Sequence, residues 1–135
     1  MGIKKVFLSW DDVDNLLNII YNQVKDKDFR YVAGIPRGGL IPAVLFSHKY
    51  DLEFMEYPSN HYNNLLIIDD ISDTGGTLEK WMPNFPNPSF ATLHTKEGAT
   101  KKPHFTGMSI PDDFGWIVYP WEKKDSKTIQ DYLDN

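Results

Sequence analysis

Hydrophobic residues recur along this chain in two rhythms, one helical and one extended. Val13, Leu16, Leu17, Ile20, Tyr21 and Val24 fall three and four apart, the spacing of a helix with one face on a core. Ser9 followed by Asp12 reads as the N-cap and N3 acid of a capping-box variant, which starts that helix. A polar turn over 25–28 leads to a predicted strand over 29–35 (FRYVAGI), a Pro-Arg-Gly-Gly loop and a helix over 40–49. Pro42 falls in the first turn of that helix, where its missing N–H has no helical partner to lose. A short strand is predicted over 52–57 and a turn or loop over 58–64. Leu65, Leu66, Ile67 and Ile68 form an unbroken apolar run, the pattern of a buried strand over 65–69. A short helix over 76–82 stopped by Pro83, a rigid connector (PNFPNP) and a strand over 89–95 (SFATLHT) follow. Residues 96–111 read as irregular, 116–119 (WIVY) as a short strand and 128–133 as a terminal helix. Strands alternating with helices predict an α/β fold, a largely parallel central sheet flanked by helices. In such sheets ligands bind beyond the strands' C-terminal ends, where both Gly-rich loops fall.

Composition narrows the class. The 135 residues suit a single domain over 1–135 with a real core. The formal net charge of −5 argues against a nucleic-acid partner, which favours a basic face. The chain has no cysteine, which excludes disulfides, Cys-based zinc sites and thiol catalysis and fits a reducing cytoplasm. No apolar run approaches the roughly 18 residues of a membrane span, and the first residues lack a signal-peptide apolar core. The expectation is a cytoplasmic protein with neither membrane nor nucleic acid as partner. His48, His61, His94 and His104 lack metal-ligand spacing and read as surface or packing residues.

Chemistry concentrates in the segment LLIIDDISDTGGTL. Asp69 and Asp70 close the apolar run, Asp73 follows, and Thr74, Gly75, Gly76 and Thr77 open the next helix. Taken alone, an acidic turn with Asp73 as a helix cap is ordinary. Clustered carboxylates, however, repel and call for a cation or hydroxyl partners. Backbone amides at a Gly-rich helix start, with the positive helix end, can hold a phosphate. Acids that hold ribose hydroxyls or a metal, beside amides that hold a phosphate, suit a sugar phosphate.

This segment resembles the ribose-phosphate signature of the type I phosphoribosyltransferases, an apolar run followed by acid-acid-x-x-Asp-Thr-Gly-x-Thr. The resemblance implies that Asp69 and Asp70 bind the ribose hydroxyls of 5-phosphoribosyl 1-diphosphate (PRPP), partly through Mg²⁺. It implies that Asp73 sits near the base and assists its proton transfer, and that Thr74, Gly75, Gly76 and Thr77 wrap the 5′-phosphate. Pro36, Arg37, Gly38 and Gly39 are similar to the pyrophosphate loop of the xanthine-guanine branch, often built on a cis peptide. Arg37 would then offer donors to pyrophosphate oxygens, and the two glycines would expose amides. Lys96 after the SFATLHT strand is similar to the lysine that donates to a purine 6-oxo group. In the ending WIVYPWE, Trp116 is similar to the ring that stacks on the base and Ile117 to a backbone contact. The implied protein is a purine phosphoribosyltransferase acting on guanine, xanthine or hypoxanthine, a dimer or tetramer of identical chains.

The chain departs from that pattern in one place. Catalytic members carry a long loop before the acidic strand that closes over PRPP, whereas here the connection spans only 58–64. The expected fold therefore has a short flexible loop and a reduced hood. The departure keeps a second reading open, a PRPP- or nucleotide-binding module of the same fold without fast chemistry. Asp73-Thr74-Gly75 is also the aspartic-protease triplet, but that fold is all-β and its triplet follows an uninterrupted apolar strand. A P-loop kinase is excluded because no Gly-Lys-Ser/Thr exists.

Overall fold

The computed structural model describes residues 4–125. Along the chain run β1 (Lys5–Phe7), α1 (Trp10–Val24), β2 (Tyr31–Gly34), α2 (Leu40–Tyr50), β3 (Glu53–Phe54) and β4 (Leu65–Ser72). They are followed by α3 (Gly76–Asn84), β5 (Ser89–Lys96), β6 (Phe105–Ile110) and β7 (Trp116–Val118). Five strands form a sheet in the order β3-β2-β4-β5-β6, and every neighbouring pair is parallel. A second, two-stranded parallel sheet pairs β1 with β7, setting Lys5 opposite Trp116 and Phe7 opposite Val118.

The central strand explains the core. On β4, Leu66 and Ile68 point into a cluster with Val13, Leu17 and Ile20 of α1 and Phe46 of α2. Leu65 and Ile67 point the other way, into a cluster with Ala33, Ile35, Leu78 and Phe90. All four are fully buried, the two-residue period of a strand covered on both faces. Each contributes roughly 1.5–3 kcal/mol by leaving water. Helix α1 starts as its sequence suggests. Ser9 Oγ accepts from the Asp12 amide at 3.0 Å, and the Asp12 carboxylate accepts from the Ser9 amide at 2.8 Å.

The topology creates a crevice. From β2 the chain steps outward to β3, whereas from β4 it steps the other way to β5 and β6. The strand order therefore reverses between the parallel strands β2 and β4, the switch point at which α/β sheets bind ligands. The β2 pairing ends at Gly34 opposite Ile68, while β4 continues against β5 as far as Ser72 opposite Thr95. Asp69 and Asp70 stand just past the place where β2 peels away.

Several elements differ from the sequence reading. The strand read over 65–69 runs on to Ser72, so Asp70 as well as Asp69 lies within it, because the β5 ladder holds the backbone extended that far. Residues 96–111, read as irregular, contain β6. Its Phe-Thr-Gly-Met-Ser-Ile run shows no clean alternation because it is a half-exposed edge strand. Gly107 lets that strand approach β5, since a Cβ there would lie 2.6 Å from the Leu93 carbonyl oxygen. Strand β1 went unread because three residues carry too little periodicity. Helix α3 runs through Pro83 to Asn84, with the Phe85 amide bonding back to Trp81 and Met82. Strand β3 is only two residues long, and the helix read over 128–133 lies outside the described residues.

Candidate functional site

Where β2 leaves the sheet, residues 35–39 turn into α2. The Ile35 amide donates to the Ile68 carbonyl at 2.9 Å, and the Gly39 amide donates back to Ile35 at 2.8 Å, closing the loop. The Pro36–Arg37 peptide is cis. Gly38 and Gly39 are needed here for space. A Cβ on Gly38 would collide with the Asp70 carboxylate, and one on Gly39 with the Ile68 carbonyl oxygen. The loop is thereby pressed against Asp70 and the end of the β2–β4 pairing.

The acids are anchored by their own backbone. Asp69 is buried, and its Oδ1 accepts from the Asp70 amide at 2.9 Å. Asp70 Oδ1 accepts from the Ile71 amide at 2.7 Å. Past them, Gly75 adopts a left-handed φ of 98° and serves as N-cap of α3. A side chain there would be strained by the backbone and would also strike the loop after β5 at Thr100 and Lys101. That loop is tied down by Thr100, whose amide and hydroxyl both donate to the Thr74 carbonyl at 2.8 and 2.9 Å. Ser72 Oγ adds a bond to the Lys101 carbonyl at 2.8 Å. The turn Thr74–Thr77 thus faces the crevice with its amides at the positive end of α3.

At the end of β5, Lys96 Nζ lies 2.8 Å from Asp73 Oδ1, and both side chains are largely buried. Opposite them stands β7. One pocket is lined by Pro36, Asp69, Asp70 and Asp73, by Thr74, Gly75, Gly76 and Thr77, and by Lys96, Trp116 and Ile117. Segments from four places in the sequence therefore converge there. Arg37, Gly38 and Gly39 lie outside its wall. Arg37 is exposed on the loop, Gly38 backs Asp70 and Gly39 is buried. The lysines at 101 and 102 do not join the pocket either; Lys102 Nζ donates to the Glu97 carbonyl at 2.7 Å.

Sequence reasoning missed three participants. Tyr119 and Glu122 line the pocket, and His94 stands behind it. The Glu122 carboxylate accepts from the Tyr119 amide at 2.8 Å, closing the turn through Pro120. The Tyr119 hydroxyl donates to the Asp70 carbonyl at 3.1 Å and contacts His94 Nδ1 at 2.9 Å. Burial pushes the Tyr119 phenol well above its usual range, with Asp70, Asp69, Glu122 and Asp73 adding to the effect. Burial also holds the His94 imidazole down to about 4. A histidine in the SFATLHT strand, next to the apolar Leu93, was the available signal, since a buried imidazole needs a polar partner.

The connection over 58–64 lies elsewhere. Asn87, just ahead of β5, donates to Asn60 through its amide at 3.0 Å and its side chain at 2.7 Å. The amides of Arg30 and Tyr31 both donate to the Asn64 carbonyl. These contacts hold the segment at the N-terminal edge of the sheet, opposite the pocket.

Comparison with known proteins gives a consistent picture. No family profile matches the chain. A xanthine-guanine phosphoribosyltransferase of Chromohalobacter salexigens is 26% identical over 135 residues, covering 85% of this chain and 82% of its own. The enzyme of the same name from Cereibacter sphaeroides is 29% identical over 117 residues, 70% of each chain. Among solved structures, a purine phosphoribosyltransferase from Pyrococcus horikoshii superposes with a TM-score of 0.73 at 26% identity. That match covers 91% of this chain and 97% of the other.

Proposed function

We propose that this chain, a relative of the type I phosphoribosyltransferases in sequence and in fold, transfers the 5-phosphoribosyl group of PRPP to a 6-oxopurine with release of pyrophosphate. One observation carries the reading. The ribose-phosphate segment Asp69–Thr77 and the base-side residues Lys96 and Trp116 line a single pocket. A sugar-phosphate cradle alone would need only the first.

In this reading Asp69 and Asp70 hold the ribose hydroxyls, and the amides and hydroxyls of Thr74–Thr77 hold the 5′-phosphate. The loop with Arg37, pressed against Asp70, receives the pyrophosphate. Trp116 stacks on the purine. Lys96 has three N–H donors, of which one is committed to Asp73, and it presents another to the 6-oxo group. A donor at that place favours guanine, xanthine or hypoxanthine over adenine, whose 6-amino group is itself a donor. The purine N9 bonds to C1′ as the C1′–O bond to pyrophosphate breaks, and Asp73 takes the proton the base gives up. Water is the competing nucleophile because the sugar passes through oxocarbenium character.

Mg²⁺ fits this donor set. Among the described residues no group of three or more His, Cys, Asp or Glu side chains is arranged to hold a metal. One or two carboxylates completed by substrate oxygens are the usual Mg²⁺ environment, and Asp69 and Asp70 supply them. When bound, the ion neutralises charge on the diphosphate. The chain would act as a dimer or tetramer in the cytoplasm. Among the described residues no helix is long and apolar enough to cross a membrane.

A second reading is favoured by the segment over 58–64, whose Asn60–Asn87 staple keeps it at the far edge of the sheet. On that reading the protein binds PRPP and turns it over slowly or not at all. Calorimetric titration with PRPP and Mg²⁺, beside a pyrophosphate-release assay with guanine, separates the two. Binding with base-dependent release supports transfer; binding without it supports the module; no binding overturns both.

A further inference from the structure

The pocket has a built-in brace that the proposed reaction does not use directly. Tyr119 and His94 are each only 2% exposed, so their polar atoms must find partners within the protein. The phenol has one proton, and it goes to the Asp70 carbonyl at 3.1 Å. His94 Nδ1, 2.9 Å from the same oxygen, must then supply the proton of its own bond, which fixes the imidazole as the Nδ1–H tautomer. A one-way chain results, from His94 on β5 through Tyr119 to the peptide of Asp70 on β4.

Two links of this chain, Asp70 and Tyr119, belong to different halves of the pocket. The Asp70 peptide carries the carboxylate against which Gly38 packs. Tyr119 directly follows β7, which carries Trp116 and Ile117. Tyr119 is fixed on its other side too. Its ring stacks on Trp121 at 4.9 Å and 5°, and Trp121 lies 6.0 Å from Trp10 at the start of α1. The phenol hydroxyl therefore ties the wall on the base side to the acidic strand.

We propose that Tyr119, oriented by His94, is a positioning residue that sets the spacing between the ribose-holding carboxylates and the base-holding segment. The proposal rests on the phosphoribosyl-transfer reading and adds to it residues that touch no reacting atom. Loss of the hydroxyl lets the two walls drift apart. Substrate groups that bridge them then lose alignment, although each wall keeps its own side chains.

The experiment compares wild type with Tyr119→Phe, His94→Leu and His94→Asn, all well below their melting temperatures with the folded fraction measured. Expected results are a fivefold or larger rise in the PRPP Kd and the guanine KM for Tyr119→Phe, with a tenfold or larger fall in kcat/KM. His94→Leu follows it, and His94→Asn, whose amide restores a donor near Nδ1, recovers most of the loss. Unchanged Kd, KM and kcat per folded molecule in Tyr119→Phe, with only a lower melting temperature, would show a purely structural contact and overturn the proposal. Nitrogen-15 NMR of the imidazole gives a readout that needs no substrate. The wild-type His94 should be protonated at Nδ1 and lose that preference in Tyr119→Phe; an Nε2–H tautomer in wild type contradicts the brace. Failure of wild type to release pyrophosphate would instead overturn the transfer reading, leaving the tautomer and PRPP affinity to decide the brace.

Discussion

Asp73 and Lys96 form a largely buried ion pair, Oδ1 to Nζ 2.8 Å, at the C-terminal ends of adjacent strands. Breaking such a pair leaves an uncompensated charge, so each partner also positions the other. In the proposed reaction both face the purine, one as proton acceptor and one as donor to the 6-oxo oxygen.

Lys96→Ala should therefore weaken purine use far more than PRPP binding. A rise of about tenfold or more in the guanine KM is expected, the scale of one lost charge-assisted hydrogen bond. Calorimetric PRPP affinity should stay within about threefold of wild type, a shift of well under 1.4 kcal/mol. Equal losses in both would refute the placement of Lys96 on the base side.

Asp73→Asn keeps the shape of the side chain and removes its ability to take a proton. General-base contributions run to about 10²–10⁴-fold, so kcat should fall by about 10² or more with a modest change in KM. Steady-state pyrophosphate release measures both, and an unchanged kcat would end the proton-acceptor role.

Gly38→Ala tests the contact between loop and acid. The new Cβ would be driven into the Asp70 carboxylate, which must move or push the loop away. PRPP affinity should drop by about tenfold or more, because the shift falls on groups that must be held within a fraction of an ångström. Isothermal titration with PRPP reads the effect; wild-type affinity would separate the loop from the sugar-phosphate site.

Acid should destabilise the protein in part through His94. Burial holds its folded-state pKa at about 4 against 6.5 for the free side chain. Between those values the unfolded chain takes up a proton that the folded chain refuses, so stability falls as pH drops below 6.5. From about pH 7 to about pH 5 the group removes roughly 2 kcal/mol. Urea denaturation of wild type and His94→Leu at both pH values should show a steeper loss in wild type. Parallel losses would mean that the imidazole is charged in the folded protein.

Much of this site was legible in the sequence because it is local. Asp69, Asp70, Asp73 and the Thr74–Thr77 turn are contiguous, and the apolar run before them dictates a buried strand that ends at the crevice. The α1 start was legible for the same reason, since Ser9 and Asp12 cap one another across three residues. What stayed hidden depends on distant partners. Strands β1 and β6 have little periodicity of their own and exist by pairing with β7 and β5. The His94–Tyr119 contact joins residues 25 positions apart. The β5 ladder that keeps the acids within a strand also depends on tertiary pairing.

The most direct measurement is chromatographic detection of nucleotide. Protein, PRPP and Mg²⁺ are incubated separately with guanine, xanthine, hypoxanthine and adenine, beside a mixture without base. The expected result is a nucleoside 5′-monophosphate from at least one 6-oxopurine, matched mole for mole by pyrophosphate, with little or none from adenine. Pyrophosphate release that is the same with and without base, and no nucleotide in any mixture, would contradict the account.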